Sequence, residues 1–201
     1  ELAHLMAHDS DSFNRWEAGQ RLALSVLMRG IEARRAGGPV SFPADFIAAS
    51  ARLLADAPRD RAFAAEALSL PAAGYLAEQF DEVDPDAIFD VRTALRRTLA
   101  ERLEAQWIAA FEASTTSGPY SPDPVSAGCR ALRNLALGYV MELDQPAWHA
   151  RCLALLEAAD NMTDASAALG LLANTACAER KRALDWFYAR WEHEPLVLDK
   201  W

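Results

Sequence analysis

Apolar residues recur at steps of three and four along almost the whole chain, which is the spacing of one face of an α-helix. No stretch shows the alternation of apolar and polar residues that a half-buried strand requires. Ala, the best helix former, makes up roughly a fifth of the residues. These observations predict an all-α fold.

The clearest apolar run follows Asp84-Pro85, where Asp suits the N-cap and Pro suits the first helical position. We predict that this helix is the longest of the chain and that it ends near Ala113. Its apolar seam is predicted to contain Ile88, Val91, Leu95, Leu99, Leu103, Trp107 and Phe111.

Proline, glycine and short polar runs divide the rest of the chain into further helices. The first long one is capped by Asp11 or Ser12 and stops at Gly37-Gly38-Pro39, where Gly allows a left-handed C-cap. The others are predicted at about 43–55, 59–70, 75–80, 124–143, 146–158, 163–176 and 179–192, with a long loop at 114–124.

Ten or so helices of unequal length with short connections fit a single helical domain over residues 1–201. No repeat of fixed period is present, which argues against a consensus TPR or ankyrin array. We therefore predict an irregular α–α superhelix with armadillo- or HEAT-like stacking of antiparallel helices. A closed helical bundle is the alternative.

The charge balance excludes two classes of partner. Twenty Lys and Arg against 29 Asp and Glu give a net charge of −9, whereas nucleic acids and anionic membrane surfaces are bound by clustered cations. No apolar stretch reaches the roughly 18 residues that a membrane-spanning helix needs. We expect no nucleic-acid partner and no membrane partner.

The cysteines and the two ends of the chain indicate its setting. Cys129, Cys152 and Cys177 are far apart and form no C-x-x-C pair, which predicts buried free thiols in a reducing compartment, by default the cytoplasm. The chain begins at Glu1 rather than Met, and it ends in an apolar segment rather than a polar tail. We expect a piece of a longer polypeptide.

A search for catalytic chemistry finds little. His4 and His8 have the four-residue spacing of zinc ligands, but Leu5 stands where a zincin motif has its Glu, and no third ligand is apparent. No G-x-S-x-G, P-loop or G-x-G-x-x-G sequence occurs. We predict no catalytic residue, no metal ligand and no cofactor in these 201 residues, and we interpret the histidine pair as structural.

Tryptophans and arginines receive structural interpretations as well. Trp16, Trp107 and Trp186 fall on apolar seams and are predicted to be packing anchors. The aromatic cluster of Trp186, Phe187, Tyr188 and Trp191 is predicted to pack against a neighbouring helix. The arginines Arg29, Arg34, Arg35, Arg92, Arg96 and Arg97 are predicted to form solvated faces paired with Glu32, Glu101 and Glu104.

Four stretches, in order along the chain, resemble the helical C-terminal domain of the bacterial aminopeptidase N family of zinc-dependent alanyl aminopeptidases. They are residues 7–20 (AHDSDSFNRWEAGQ), 84–87 (DPDA), 159–164 (ADNMTD) and 196–201 (LVLDKW). Together they extend over essentially the whole chain. A single one of them would be a weak signal.

The resemblance implies a four-domain enzyme with an N-terminal β domain, a thermolysin-like catalytic domain, a small β-sandwich and this α-superhelical domain. In that family an H-E-x-x-H motif with a distant Glu binds zinc, and a G-A-M-E-N segment recognises the free amino group of the substrate. Neither motif is in this chain. The domain is then expected to be non-catalytic and to wall the substrate cavity, so that peptides reach the zinc. Its partners would be the catalytic and β domains of the same polypeptide.

Two segments of the resemblance are predicted to be structural. Asn14, Arg15, Trp16 and Glu17 lie in the first turn of the long helix, where Trp16 could anchor a neighbouring domain and Arg15 and Glu17 could pair across the junction. Asp160, Asn161, Thr163 and Asp164 surround the start of another helix, with Asn161 or Thr163 as its cap. No substrate-binding residue is assigned. The alternative function is a freestanding α-solenoid that binds a peptide or protein.

Overall fold

Helices account for all the regular structure in residues 1–116, 118–199 and 201, the part of the chain that the computed structural model describes. This confirms the all-α prediction. The helices are α1 (Leu2–His8), α2 (Ser12–Arg35), α3 (Ala44–Asp56), α4 (Arg61–Ala67), α5 (Ala73–Ala77), α6 (Pro85–Arg102), α7 (Glu104–Ala113), α8 (Pro124–Met141), α9 (Pro146–Ala158), α10 (Met162–Ala173), α11 (Glu179–Trp191) and α12 (Pro195–Leu198), with a 3-10 turn at Ala57–Arg59.

Short polar side chains start several of these helices by accepting a hydrogen bond from a backbone N–H two or three residues later. This leaves one fewer unpaired donor in the first turn. At the other end of α2, Gly37 adopts a φ of 71°, a conformation that favours glycine. The capping residues are Asp11, Asp60, Asp84, Asp123 and Asn161.

The helices stack in layers along the chain. In the first layer α1 packs on α2 and α3, and α2 then contacts α6. In the middle layer α4 and α7 both pack on α8, and α8 contacts α10, which lies against α9 and α11. One continuous apolar core runs through these layers from Met6 to Phe187. The predicted superhelical stack is confirmed.

The predicted burial of the seam residues is confirmed, but the prediction that one continuous helix contains them all is wrong. Every seam residue from Ile88 to Phe111 is at most 4% exposed. The helix nevertheless breaks at Leu103, whose φ of −121° and ψ of 22° separate α6 from α7. The longest helix is therefore α2, with 24 residues.

The centre of the core joins α6, α7, α8 and the end of α4 through Trp107 and Tyr139. The two rings are stacked with centroids 4.0 Å apart. The indole N–H of Trp107 donates to the carbonyl oxygen of Leu99, and the Tyr139 hydroxyl donates to that of Leu68. Burial raises the pKa of Tyr139 well above its ordinary value, so the phenol remains a neutral donor.

Several boundaries differ from the predicted ones. Pro43 is the N-cap of α3 rather than its first residue, and Cys177 lies in the turn after α10 and is only partly buried. Cys129 and Cys152 are buried free thiols, as predicted. Residue 117 of the predicted loop and residue 200 of the last family-like stretch lie outside the described residues.

Candidate functional site: a groove beside helix α6

A groove of ≈ 990 Å³ opens between α5 and α6 on one side and α8 and α10 on the other. Its lining combines apolar side chains with cationic ones on α6 and with three acidic residues, Asp86, Glu142 and Asp144. Phe89 is 69% exposed there, although it is a large aromatic residue. A groove of this size, lined by both apolar and charged side chains, can accept a peptide or a small molecule.

Two arginines on α6, four residues apart, point into the groove from half-buried positions. Arg96 donates to the carbonyl oxygen of Gly138 and forms an ion pair with Glu142, each at 3.1 Å, which fixes it against α8. Arg92 donates through Nε to the carbonyl oxygen of Pro71 at 2.9 Å. The two groups are thus held in place by α8 and by the segment before α5.

Arg92 differs from Arg96 in its electrostatic partners. Among the described residues, no carboxylate lies within ion-pair distance of Arg92. Its partial burial, followed by the positive charge of Arg96, lowers the pKa of Arg92 from its ordinary value. The negative charge of Glu142 acts on Arg92 from beyond ion-pair distance. A half-buried guanidinium with no carboxylate in direct contact favours an incoming anionic group, because that group replaces the lost hydration.

The prediction that these arginines form solvent-exposed helix faces is wrong for Arg92 and Arg96. It holds for Arg97, which is exposed and pairs with Glu101 at 2.8 Å. Arg34 pairs with Asp90 on α6 rather than with Glu32. Sequence spacing showed that Arg92 and Arg96 share a helix face, but the groove arises from α8 and α10, which lie far along the chain.

The first family-like segment is largely engaged within the chain. Arg15 donates to the carbonyl oxygen of Met6 at 3.1 Å and pairs with Asp56 at 3.3 Å, and its guanidinium lies over the ring of Phe63. Arg15 thus ties α2 to α1, α3 and α4, rather than pairing across a domain junction as predicted.

The other three residues predicted to be structural in that segment, Asn14, Trp16 and Glu17, lie at or near the surface. Trp16 packs partly against the core, and its ring lies 5.8 Å from that of Phe13, which is 67% exposed. Asn14 is exposed and Glu17 is partly buried. The proposed anchoring role of Trp16 and the pairing of Glu17 stay predictions.

The family-like segment at residues 159–164 joins three elements. Asn161, and not Thr163, caps α10, since its side chain accepts from the backbone N–H of Asp164. The Asp164 carboxylate pairs with Arg133 of α8 at 2.6 Å, and both side chains are nearly buried. Asp160 accepts from the backbone N–H of Tyr120 at 3.0 Å, which holds the loop before α8.

His4 and His8 lie on one exposed face of α1 with ring centroids 5.0 Å apart. Among the described residues, no third His, Cys, Asp or Glu completes a metal site with them. No described helix is long and apolar enough to cross a bilayer.

Comparison with protein families gives one match over residues 1–201, to the family described as "Domain of unknown function (DUF3458_C) ARM repeats". Aminopeptidase N of Escherichia coli is 33% identical over 201 residues, which are 100% of this chain and 23% of that protein. Aminopeptidase N of Caulobacter vibrioides is 38% identical over 199 residues, 98% of this chain and 22% of that protein. The chain thus spans less than a quarter of these relatives.

Among solved structures, a crystal structure of Legionella pneumophila aminopeptidase A in complex with aspartic acid is similar over 100% of this chain and 24% of that one. The TM-score is 0.84 and the sequence identity 25%. The resemblance noted from four short stretches is confirmed by alignments over the whole chain.

Proposed function

The chain belongs to the family described as DUF3458_C ARM repeats, and from that premise we propose that it is the helical C-terminal domain of a zinc metallo-aminopeptidase. In this proposal the complete enzyme removes N-terminal amino acids from peptides, and this domain walls the substrate cavity over the catalytic domain. The support is the alignment of the whole chain with about a quarter of two aminopeptidases N.

We propose a non-catalytic role for the domain itself. The 201 residues contain neither H-E-x-x-H nor G-A-M-E-N, so the zinc and the amino-group recognition of such an enzyme would be supplied by other domains of the same polypeptide. The free thiols Cys129, Cys152 and Cys177 favour a reducing compartment, and we place the enzyme in the cytoplasm.

The observation that carries the cavity role is the half-buried guanidinium of Arg92 in the groove beside α6, with no carboxylate of the described residues within ion-pair distance. A peptide that enters with its amino group toward the zinc carries a carboxylate at its other end. Such a carboxylate would find in Arg92 a cation that no carboxylate of the described residues contacts directly. We propose that the groove contacts the far part of the substrate.

The first experiment separates a domain of a larger enzyme from a freestanding module. The reading frame is extended in both directions, and the complete product and the 201-residue chain are each assayed with zinc on alanyl and arginyl arylamides. We expect an upstream H-E-x-x-H, turnover by the complete product, and none by the chain. Turnover by the isolated chain would overturn the non-catalytic role.

The second experiment tests the groove in the complete enzyme with Arg92→Gln. For a peptide with a free carboxylate we expect KM to rise about tenfold, as the loss of one charge-assisted hydrogen bond predicts. For an amidated peptide or an arylamide KM should be unchanged, because these substrates lack the anionic end. Arg102→Gln, on the exposed last turn of the same helix, is the matched control.

The alternative, a freestanding α-solenoid that binds a peptide or protein, is favoured by the same groove and by the exposure of Phe89. It predicts that the complete reading frame has no H-E-x-x-H. It also predicts that the 201-residue chain binds peptides by itself and that Arg92→Gln weakens this binding.

A further inference from the structure

Three side chains with different metal-binding groups meet where α9 faces the turn between α10 and α11. His149 lies in α9, Cys177 in the turn, and Glu179 is the first residue of α11. An imidazole nitrogen, the thiol sulfur and a carboxylate oxygen all lie within 4.8 Å of one another. Among the described residues, this is the only group of three or more His, Cys, Asp and Glu side chains so close together.

A second observation concerns the same residue, His149. The residue is 5% exposed, and its Nε2 is buried without a hydrogen-bond partner among the described residues. A carboxylate oxygen of Asp144 lies 3.3 Å from Nε2 but outside hydrogen-bonding geometry. A buried polar nitrogen is normally paired, and one that is not points to a missing ligand.

We propose that His149, Cys177 and Glu179 bind one Zn²⁺ ion, which fastens α9 to the start of α11. Imidazole, thiolate and carboxylate together suit zinc, whereas Mg²⁺ and Ca²⁺ select oxygen ligands alone. The ion replaces the thiol proton of Cys177, which passes to the solvent. Three protein ligands leave a fourth position for water or for the Asp144 carboxylate.

The geometry needs only a small adjustment. With zinc–ligand bonds of about 2.0–2.3 Å, ligand atoms of a tetrahedral site lie about 3.5 Å apart. The present separations of up to 4.8 Å must therefore shorten by about an ångström. Cys177 lies in an irregular turn and Glu179 at a helix end, so both side chains can approach His149, which is fixed in α9.

The proposed site is formed entirely by residues of this chain. Its residues are not part of an H-E-x-x-H motif, and it lies in a chain that has none. The experiment therefore uses the 201-residue chain, and its outcome is independent of whether the complete enzyme hydrolyses peptides.

The test is a titration of the EDTA-treated chain with Zn²⁺ by calorimetry, repeated with Co²⁺ as a spectroscopic probe. We expect one zinc ion per chain, release of a proton, and with Co²⁺ a thiolate charge-transfer band and tetrahedral ligand-field bands. Zinc should also raise the melting temperature of the chain. Absence of zinc binding at about 100 µM, where a useful structural site would be saturated, overturns the proposal.

The variants Cys177→Ser and Glu179→Gln should each weaken zinc binding at least tenfold, and Cys177→Ser should abolish the charge-transfer band. Both residues lie outside the fully buried core, so these variants are expected to fold even if a His149 variant does not. Cys129→Ser, which removes a thiol in α8, is the control and should bind as the unchanged chain does. Equal loss in Cys129→Ser and Cys177→Ser, or unchanged binding in Glu179→Gln, contradicts the site.

Discussion

The contact between α2 and α6 is so close that a single methyl group should destabilise it. Gly30 lies on the buried face of α2, and a Cβ at this position would lie 2.6 Å from Cγ1 of Val91 on α6. Real Cβ contacts essentially never fall below 3.0 Å. We predict that Gly30→Ala destabilises the fold although Ala is the better helix former.

The magnitude follows from two opposing terms. Replacing Gly by Ala inside a helix stabilises it by up to about 1 kcal/mol. Val91 is 1% exposed and β-branched, so it has almost no alternative rotamer, and the overlap must be relieved by moving α2 from α6. Overpacking of this kind costs about 1–3 kcal/mol. We expect a net loss of up to about 2 kcal/mol, which for a chain of this length lowers the melting temperature by up to about 4–8 °C.

The assay is chemical and thermal unfolding followed by circular dichroism, with two comparison variants. Gly170→Ala on α10 adds a methyl group into open space and should raise stability by about 0.5–1 kcal/mol. In a Val91→Ala background, Gly30→Ala should no longer destabilise, because the clashing methyl group is gone. If Gly30→Ala is as stable as Gly170→Ala, the close packing of α2 on α6 is refuted.

Three further predictions concern a cap, a carboxyl group and a thiol. Asn161→Ala removes the N-cap of α10 and should cost about 1 kcal/mol in urea unfolding, and an unchanged midpoint would contradict the cap. Hydrogen bonds from the Ser121 side chain and then from Ser126 lower the pKa of Asp123 from its ordinary value of 3.8. A carboxyl group whose pKa is lower in the folded state stabilises the fold above its unfolded pKa and loses this effect as the pH falls below about 4. The melting temperature of Asp123→Asn, which keeps an acceptor oxygen but cannot titrate, should therefore depend less on pH there, and parallel curves would count against this reasoning. Burial raises the pKa of the Cys152 thiol to about 12, so iodoacetamide should label it only after unfolding, as mass spectrometry can show.

The apolar periodicity predicted which residues of the seam are buried, but it did not predict that they are divided between two helices. The spacing of apolar residues is the same on both sides of Leu103, so nothing in the pattern marks the break between α6 and α7. Four residues after the break, the Trp107 ring stacks on Tyr139 of α8, a contact that sequence spacing does not predict. Local signals such as the caps at Asp11, Asp84 and Asn161 were predictable because their partners lie two or three residues away.

The sites were harder to predict than the helices. Arg92 and Arg96 could be placed on one face of α6, but what that face meets depends on α8 and α10. His149 and Cys177 have no motif spacing, since they come together only when α9 packs against α10 and α11. In the family-like segment at residues 159–164 the cap of α10 was predicted, while the ion pair of Asp164 with Arg133 could be seen only in the folded chain.

That segment also affects how the domain unfolds. In an array of stacked helices each layer can in principle open separately, because it touches only its neighbours. Here the residues at the start of α10 bond to the loop before α8 through Asp160 and to α8 itself through Asp164. Detaching α10 would expose a nearly buried arginine and release that loop at once. Helices α8 and α10 are therefore expected to open as one cooperative unit, which leaves the stack with fewer partly unfolded states than its number of helices suggests.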